Sequence, residues 1–360
     1  MGFTSKNTAD DHEELILRRC RRTGLQAAIA VHSTVAGPAA GGCRRWCYDS
    51  EQAGIDDVRR LSAGMTYKNA LAEIPFGGGK SVIFADAQRL PSAAQLKVFA
   101  GWLNELSGRY VTAEDVGMGV AQIRSLAEHS PYVSGTGKGG IGGDPSPKTA
   151  YGVFLGLKTA VQLQLDREHL YGVKVAVQGL GAVGTSLCHW LARAGAELQV
   201  ADLDPRRVMC MVKKYDATAV SVSEIPFVEA DVFAPCAMGG VLDETFLRRS
   251  QVKVVAGAAN NQLANDSVAT QLADKGVLYA PDFVINAGGV VSVAHEYLLG
   301  RGDFPSDHDA QSWVDERIDG IRTRLTDIIA CAESENLSTD HVAKRMASEL
   351  LVSPQLTAAA

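Results

Sequence analysis

Apolar positions along this chain follow two rhythms, and the change between them falls at a glycine-rich segment. Before that segment, Leu25 to Val35 reads as a strand of small and branched apolar residues. Ile55, Val58, Leu61 and Met65 then recur every three or four residues, which predicts a helix reaching Lys68. Leu96, Phe99 and Leu103 form the apolar stripe of a second helix, expected over about 92–106. Tyr110-Val-Thr-Ala-Glu-Asp115 reads as a strand entering a loop, so the first domain is expected to be mixed α/β.

The segment from Gly135 to Gly143 carries six glycines in nine residues and runs into Asp144-Pro-Ser-Pro147. Such a stretch is expected to be an interdomain hinge. Beyond it, short apolar runs at Lys174–Gly179, Glu197–Asp202, Val232–Ala237, Lys253–Ala259 and Val277–Pro281 alternate with helical stretches. That alternation predicts a parallel, doubly wound sheet. The tail over about 311–349 is expected to be helical, with Trp313, Ile318, Ile321, Leu325, Ile328 and Ile329 on one buried face, and periodicity allows it to pack on either domain.

Composition narrows the partners. The 360 residues are 46% hydrophobic, enough for two cores, and carry a net charge of −6, which argues against nucleic acid. No apolar stretch is long enough to cross a bilayer and the start lacks a signal-like apolar core, so a soluble, cytoplasmic protein is expected. Seven scattered cysteines and eight dispersed histidines show no metal-ligand spacing, and no metal is expected.

The sharpest chemical signal is Val175-Ala-Val-Gln-Gly179-Leu-Gly181-Ala-Val-Gly184, a strand, a glycine turn and a helix start in succession. In that context G-x-G-x-x-G is a dinucleotide fingerprint: the first glycine turns tightly, the second admits a pyrophosphate, and the third lets helix approach strand. Asp202, at the end of the next strand, supplies the acid expected on a ribose 2′-hydroxyl, which favours NAD over NADP; Arg206 and Arg207 leave some opening for NADP. The alternative is a glycine turn beside a helix-capping aspartate.

Gly64-Met-Thr-Tyr-Lys68 and Ile74-Pro-Phe-Gly-Gly-Gly-Lys80-Ser81 form a second cluster. A phosphate loop is excluded because Ile74 stands where its first glycine must be. A lysine behind three glycines can be desolvated toward a base, with Lys68 as a second ammonium that attracts a substrate carboxylate. Two solvated surface lysines explain the residues equally well. Glu114 and Asp115 end a strand, so alternation turns only one of them to a given face. Asn261 and Asn286 follow strands at the edge where parallel sheets bind ligands, and Asn286 is an equally good helix cap.

Together these motifs resemble the glutamate/leucine/phenylalanine/valine dehydrogenase family, and within it the leucine, valine, phenylalanine and tryptophan branch. Carrying the resemblance are Gly37-Pro-Ala-Ala-Gly-Gly42, Gly64 to Asn69, Gly77-Gly-Gly-Lys80, Tyr110 to Gly117, Val177 to Gly184, Ala234-Pro-Cys-Ala237, Gly257-Ala-Ala-Asn-Asn261 and Tyr279-Ala-Pro-Asp282. It implies a substrate-binding and oligomerisation domain over 1–134, a hinge over 135–147, a Rossmann domain over 148–325, and C-terminal helices over 326–360 that pack back on the first domain. It also implies a homo-oligomer and NAD-linked deamination of an L-amino acid to a 2-oxo acid and ammonia.

By the same resemblance Lys68 pairs with the substrate carboxylate, Lys80 activates water, and Asp115 carries the amine proton. Asn261 orients substrate and cofactor, and Thr149, Gly179, Gly181, Ala182, Val183, Gly184, Asp202, Cys236, Ala237 and Asn286 meet the cofactor. Positions matching the side-chain pocket are Ala40, Gly41, Met65, Ala113, Val290 and Val293, all apolar, which disfavours glutamate. Ala113 to Gly117 is leucine-like, whereas the small Ala40 leaves room for an aromatic ring. Cys43 departs from the threonine common after Gly-Gly. Two other classes compete: a dinucleotide-binding protein without turnover, which predicts loss of Lys80 or Asp115, and a hydroxy-acid dehydrogenase, which needs a histidine such as His32 or His295 at the site.

Overall fold

The computed structural model describes residues 3–5, 12–85, 90–137, 144–304 and 306–352. The chain divides into two compact units. The described residues of Met1–Pro145, Val290–Val314 and Ala347–Ala360 form the first, and those of Ser146–Gly289 and Asp315–Met346 form the second.

The first unit opens with β1 (Phe3–Ser5), β2 (Glu14–Arg19), β3 (Gln26–Ser33), β4 (Ala39–Trp46), α1 (Glu51–Leu71), β5 (Gly77–Phe84), α2 (Ala93–Glu105), β6 (Tyr110–Ala113) and α3 (Val120–Ala127). Its strands make one six-stranded mixed sheet in the order β1-β2-β3-β5-β4-β6. α1 starts where Ser50 Oγ accepts from Ala53 N at 3.1 Å, a cap of about 1 kcal/mol, and covers one face of the sheet with Val58 against Leu15, Ala28, Ala30 and Val82. α2, opened by a Ser92/Gln95 capping box, covers the other face, where Phe99, Leu103, Ile29, Ile83 and Tyr110 form the main core.

β5, where the apolar pattern predicts no element, is a central strand over Gly77–Phe84, antiparallel to β3 and parallel to β4. Glycine normally weakens a strand, but here neighbours crowd in. A Cβ on Gly78 would strike Thr66 of α1, and one on Gly79 would come within 2.7 Å of the Tyr110 ring.

The second unit contains α4 (Ser146–Leu165), β7 (Lys174–Gln178), α5 (Ala182–Arg193), β8 (Glu197–Ala201), α6 (Pro205–Tyr215), β9 (Thr218–Ala219), β10 (Val232–Pro235), α7 (Glu244–Arg249), β11 (Val254–Val255), α8 (Ser267–Asp274), β12 (Leu278–Tyr279) and α9 (Asp282–Ile285). All six strands are parallel, in the order β12-β11-β10-β7-β8-β9. The five expected strands are present but trimmed at their C-terminal ends, most of all at Lys253–Ala259. There the chain leaves the ladder after Val255 to make the turn that carries Asn260 and Asn261.

α10 (Gly288–Arg301), α11 (Asp307–Glu335) and α12 (Thr339–Leu351) complete the chain. α10 and α11 each carry residues of both units, and the helical tail divides differently from the expected boundaries. Val290–Val314 belongs to the first unit, whereas most of α11 and α12 belongs to the second, where Ile318, Ile321, Leu325, Ile328 and Ile329 are buried. Thr339 ties α12 there by donating to Tyr279 O at 2.6 Å. Of the expected hinge, residues 138–143 lie outside the described residues. No helix among the described residues is long and apolar enough to cross a membrane.

Candidate functional site

In the first unit the chemistry gathers on the α1 face of the sheet. Alternation along β5 sends Gly78, Lys80 and Val82 toward α1, and along β4 it separates Arg44 from Cys43. Lys80 and Lys68 are 5% and 7% exposed, which removes the alternative of two solvated surface lysines. Lys80 Nζ lies 2.9 Å from Asp115 Oδ2, so the ionic partner of Lys80 is this carboxylate; Lys68 is buried in the last turn of α1. Of the two acids after β6, Asp115 is the one turned inward, its side chain 10% exposed, and Glu114 is half-buried.

Arg44 escaped the sequence reading. Its Nε donates to Asp115 Oδ2 at 3.2 Å and its NH1 to Asp57 Oδ2 at 3.0 Å, and the Tyr48 hydroxyl donates to that Asp57 oxygen at 2.6 Å. The only signal was an arginine two residues beyond Gly42 on a strand that borders the site. Burial pushes the Asp115 carboxyl up, but Lys80 and Arg44 outweigh it and hold the group below the usual carboxylate range. Among the described residues Glu114 meets no such cation: burial, then Asp144, then Asp115 raise it to about 7.

Two apolar contacts border this polar cluster. A Cβ on Gly41 would come 2.9 Å from Met65 Cγ, and one on Gly135 would lie 3.7 Å from Val293 Cγ2 and 3.8 Å from the Ala113 Cβ. Met65 and Gly41 thus meet, and Ala113 and Val293 both lie beside Gly135, while Ala40 stands beside Gly78 and Val111 in the ladder and Val290 lies one turn before Val293 on α10. The Glu296 carboxylate, also unread in the sequence, fixes the neighbouring loop by accepting from Thr136 N at 2.7 Å and Gly137 N at 3.1 Å. Cys43 is fully buried in the α2-side core, which pushes its thiol up to about 12. His32 bonds Thr66 Oγ1 at 2.7 Å, and His295 is buried with Phe304 and Trp313 around it.

In the second unit the fingerprint glycines form the turn between β7 and α5. Gly179 has φ +97°, and a Cβ on Gly184 would land on the Gly179 carbonyl oxygen. Gly181 differs: nothing lies within 4 Å of where its Cβ would be, and as N-cap of α5 it offers no side chain to the N–H groups of Ala182, Val183 and Gly184. A helix start with open space before it and uncapped donors suits an anion such as a pyrophosphate. This turn sits between β8 and β10, where the strand order reverses, and Ala237 packs on Gly179 while Cys236 N donates to Gln178 O at 2.7 Å.

Asp202 is oriented by backbone, its Oδ2 accepting from Leu180 N at 2.6 Å and its Oδ1 from Asp204 N at 2.8 Å. Oδ1 also lies 3.7 Å from Arg207 NH1, and Oδ2 keeps a second lone pair, which fits a ribose hydroxyl. Asn286 is not an N-cap: it closes α9, and its Nδ2 donates to Ala258 O and Asn260 Oδ1, both at 3.1 Å. Asn261 takes a left-handed conformation at φ 53°, and Thr149 lies in the first turn of α4.

Comparison with known proteins matches both halves of the chain to one family. Residues 13–132 match the family described as Glu/Leu/Phe/Val dehydrogenase, dimerisation domain, and residues 198–348 match Glutamate/Leucine/Phenylalanine/Valine dehydrogenase. Leucine dehydrogenase of Geobacillus stearothermophilus is 40% identical over 340 residues, covering 94% of this chain and 90% of that protein. L-tryptophan dehydrogenase of Nostoc punctiforme is 38% identical over 339 residues, 94% of this chain and 93% of that protein. The crystal structure of L-tryptophan dehydrogenase from Nostoc punctiforme superposes with a TM-score of 0.78 at 36% identity, covering 95% of this chain and 96% of that one. With both halves matched to its models and relatives of about 40% identity covered over nine tenths of their length, the chain belongs to the glutamate/leucine/phenylalanine/valine dehydrogenase family.

Proposed function

We propose that this dehydrogenase converts an apolar L-amino acid, leucine-like in its side chain, to the 2-oxo acid and ammonia, and runs the reverse reductive amination. One observation carries the reading: a buried Lys80–Asp115 pair stands on the same sheet face as buried Lys68, bordered by the apolar contacts of Met65, Gly41, Ala113 and Val293. Lys68 binds the substrate carboxylate as a desolvated cation, and an apolar side chain avoids stranding a charge, as the distal carboxylate of glutamate would.

NAD is the cofactor that the second unit suits, held by the α5 N-terminus, Gly181 and the Asp202 carboxylate, with Thr149, Cys236, Ala237, Asn261 and Asn286 around it; when bound it supplies the hydride acceptor. Asp115, held ionised, accepts the proton of the substrate ammonium. Lys80 takes the proton of the water that attacks the iminium carbon and, as an ammonium, stabilises the developing carbinolamine. Small-molecule substrates and a homo-oligomer of this chain are the partners that this reading requires.

Aromatic amino acids are a second reading, favoured by the small Ala40 next to Gly41 at the edge of the apolar set. One methylene changes selectivity by only about 1–3 kcal/mol in such pockets, so the two classes overlap. NADH oxidation with ammonia and 4-methyl-2-oxopentanoate, 3-methyl-2-oxobutanoate, phenylpyruvate, indolepyruvate or 2-oxoglutarate separates them. The branched 2-oxo acids are expected to be fastest; phenylpyruvate or indolepyruvate in first place would transfer the function to the aromatic class, and no turnover would end the dehydrogenase reading.

A further inference from the structure

Arg44 touches the Asp115 carboxylate and has no part in the reaction outlined above. Its guanidinium bridges two acids, with Nε on Asp115 Oδ2 at 3.2 Å and NH1 on Asp57 Oδ2 at 3.0 Å. Lys80 Nζ meets that same Asp115 oxygen at 2.9 Å, so two cations share one carboxylate oxygen. The far end is anchored by Tyr48, whose hydroxyl donates to Asp57 at 2.6 Å. The side chains of Arg44, Asp57 and Asp115 are 17%, 12% and 10% exposed, so water and salt screen little of the interaction.

A lysine paired with a lone buried carboxylate holds its proton firmly, because an opposite charge favours the charged form. Lys80 in such a pair would be a poor base. A second fixed cation on the same oxygen weakens that hold twice over: it takes up part of the carboxylate charge and repels the ammonium at a range of roughly 4–6 Å, where charges shift one another strongly. Arginine suits the task because it stays charged at every accessible pH and its planar fork can bridge two acids at once.

We propose that Arg44, anchored by Asp57 and Tyr48, is a positioning residue that fixes the Asp115 carboxylate and shares its negative charge, so that Lys80 can release its proton and serve as the base. The role in catalysis rests on the amino acid dehydrogenase reading; the charge sharing does not. The titratable and charged groups on the elements around Lys80 include His32 on β3, Cys43, Arg44 and Arg45 on β4, Glu51, Asp56, Asp57, Arg59, Arg60, Tyr67 and Lys68 on α1, Tyr110 on β6, and Glu114 and Asp115 just after it. Burial keeps the Cys43 thiol and the Tyr110 hydroxyl neutral near neutral pH, so neither competes for the Lys80 proton.

Competitive acetylation with acetic anhydride, read on the Lys80 peptide by mass spectrometry across pH, reports when this amine becomes neutral and requires no turnover. In Arg44→Gln the Lys80 titration is expected to move up by about one pH unit. In Asp57→Asn, which keeps the Arg44 charge and removes the acid that partly cancels it, the titration moves down. Arg44→Lys retains the charge and stays near the unmodified protein. The acid limb of kcat/KM for deamination shifts in the same directions. An unmoved Lys80 titration in Arg44→Gln and Asp57→Asn, both with native circular dichroism, overturns the proposal and leaves Arg44 a packing residue. Where Arg44→Gln does not fold, Arg44→Met, which removes the charge but keeps most of the side-chain length, takes its place with the same expected shift. A Lys80 titration that moves as expected in a protein without turnover on any amino acid refutes the dehydrogenase reading and leaves the charge sharing intact.

Discussion

Glu114 and Asp115 are adjacent carboxylates whose pKa values move in opposite directions, because among the described residues Lys80 and Arg44 stand beside Asp115 and not beside Glu114. Burial, Asp144 and Asp115 raise the half-buried Glu114 to about 7, above its value in an unfolded chain. The folded state therefore binds a proton over an interval in which the unfolded chain has already lost it. The stability this contributes is fully present below the unfolded pKa and is lost as pH rises through about 7. Glu114→Gln removes that dependence, so the variant should gain stability relative to the parent between about pH 5 and pH 8. Urea midpoints at the two pH values test it, and an equal difference at both would refute the assignment. Lys80→Ala belongs to the same scale: turnover should be abolished while NADH titration changes little, because Lys80 lies in the first unit and the fingerprint turn in the second. Parallel loss of NADH affinity would contradict the role of Lys80.

At the scale of elements, the turn from β7 to α5 separates two kinds of glycine that look identical in the motif. Gly184 is a packing glycine, since any Cβ there meets the Gly179 carbonyl, so Gly184→Ala must push α5 off the sheet and should cost on the order of 1–3 kcal/mol of stability. Gly181 faces open space, so Gly181→Ala should fold with an unchanged unfolding midpoint and lose NADH affinity about tenfold or more by blocking the approach to the α5 N-terminus. Thermal unfolding with NADH titration distinguishes them; equal stability loss in both would show that the turn serves packing alone. The spacing of this motif was readable because a strand, a tight turn and a helix start are local events. β5 was not readable in the same way, since three consecutive glycines give no apolar pattern, and their place in the sheet shows only when Ser33, Thr66 and Tyr110 are seen pressing against them. Arg44 was missed for a related reason: its partners lie 13 and 71 residues away in sequence, and no local pattern marks them.

At the scale of the whole molecule, the part of the chain matching a dimerisation domain, residues 13–132, falls within the first unit, which also carries Lys68, Lys80 and Asp115. Sedimentation of the purified protein should therefore give a particle of at least twice the 38.2 kDa chain, and a monomer at micromolar concentration would refute the assembly. The sequence alone determined the two-part α/β organisation, the fingerprint turn, and the lysine and aspartate positions, because each depends on residues close together in the chain or on motifs with strict spacing. Tertiary structure alone decided that Lys80 is paired with Asp115 rather than left beside Lys68 in solvent, and that Arg44 and Asp57 close the charge network. It also decided that the C-terminal helices divide between the two units, with most of α11 and α12 in the second. Periodicity tells which face of a helix is buried, but not against what; burial partners and buried charges are set by non-local packing, in which an unpaired ion costs several kcal/mol or more and so must find its counterion wherever the fold brings one.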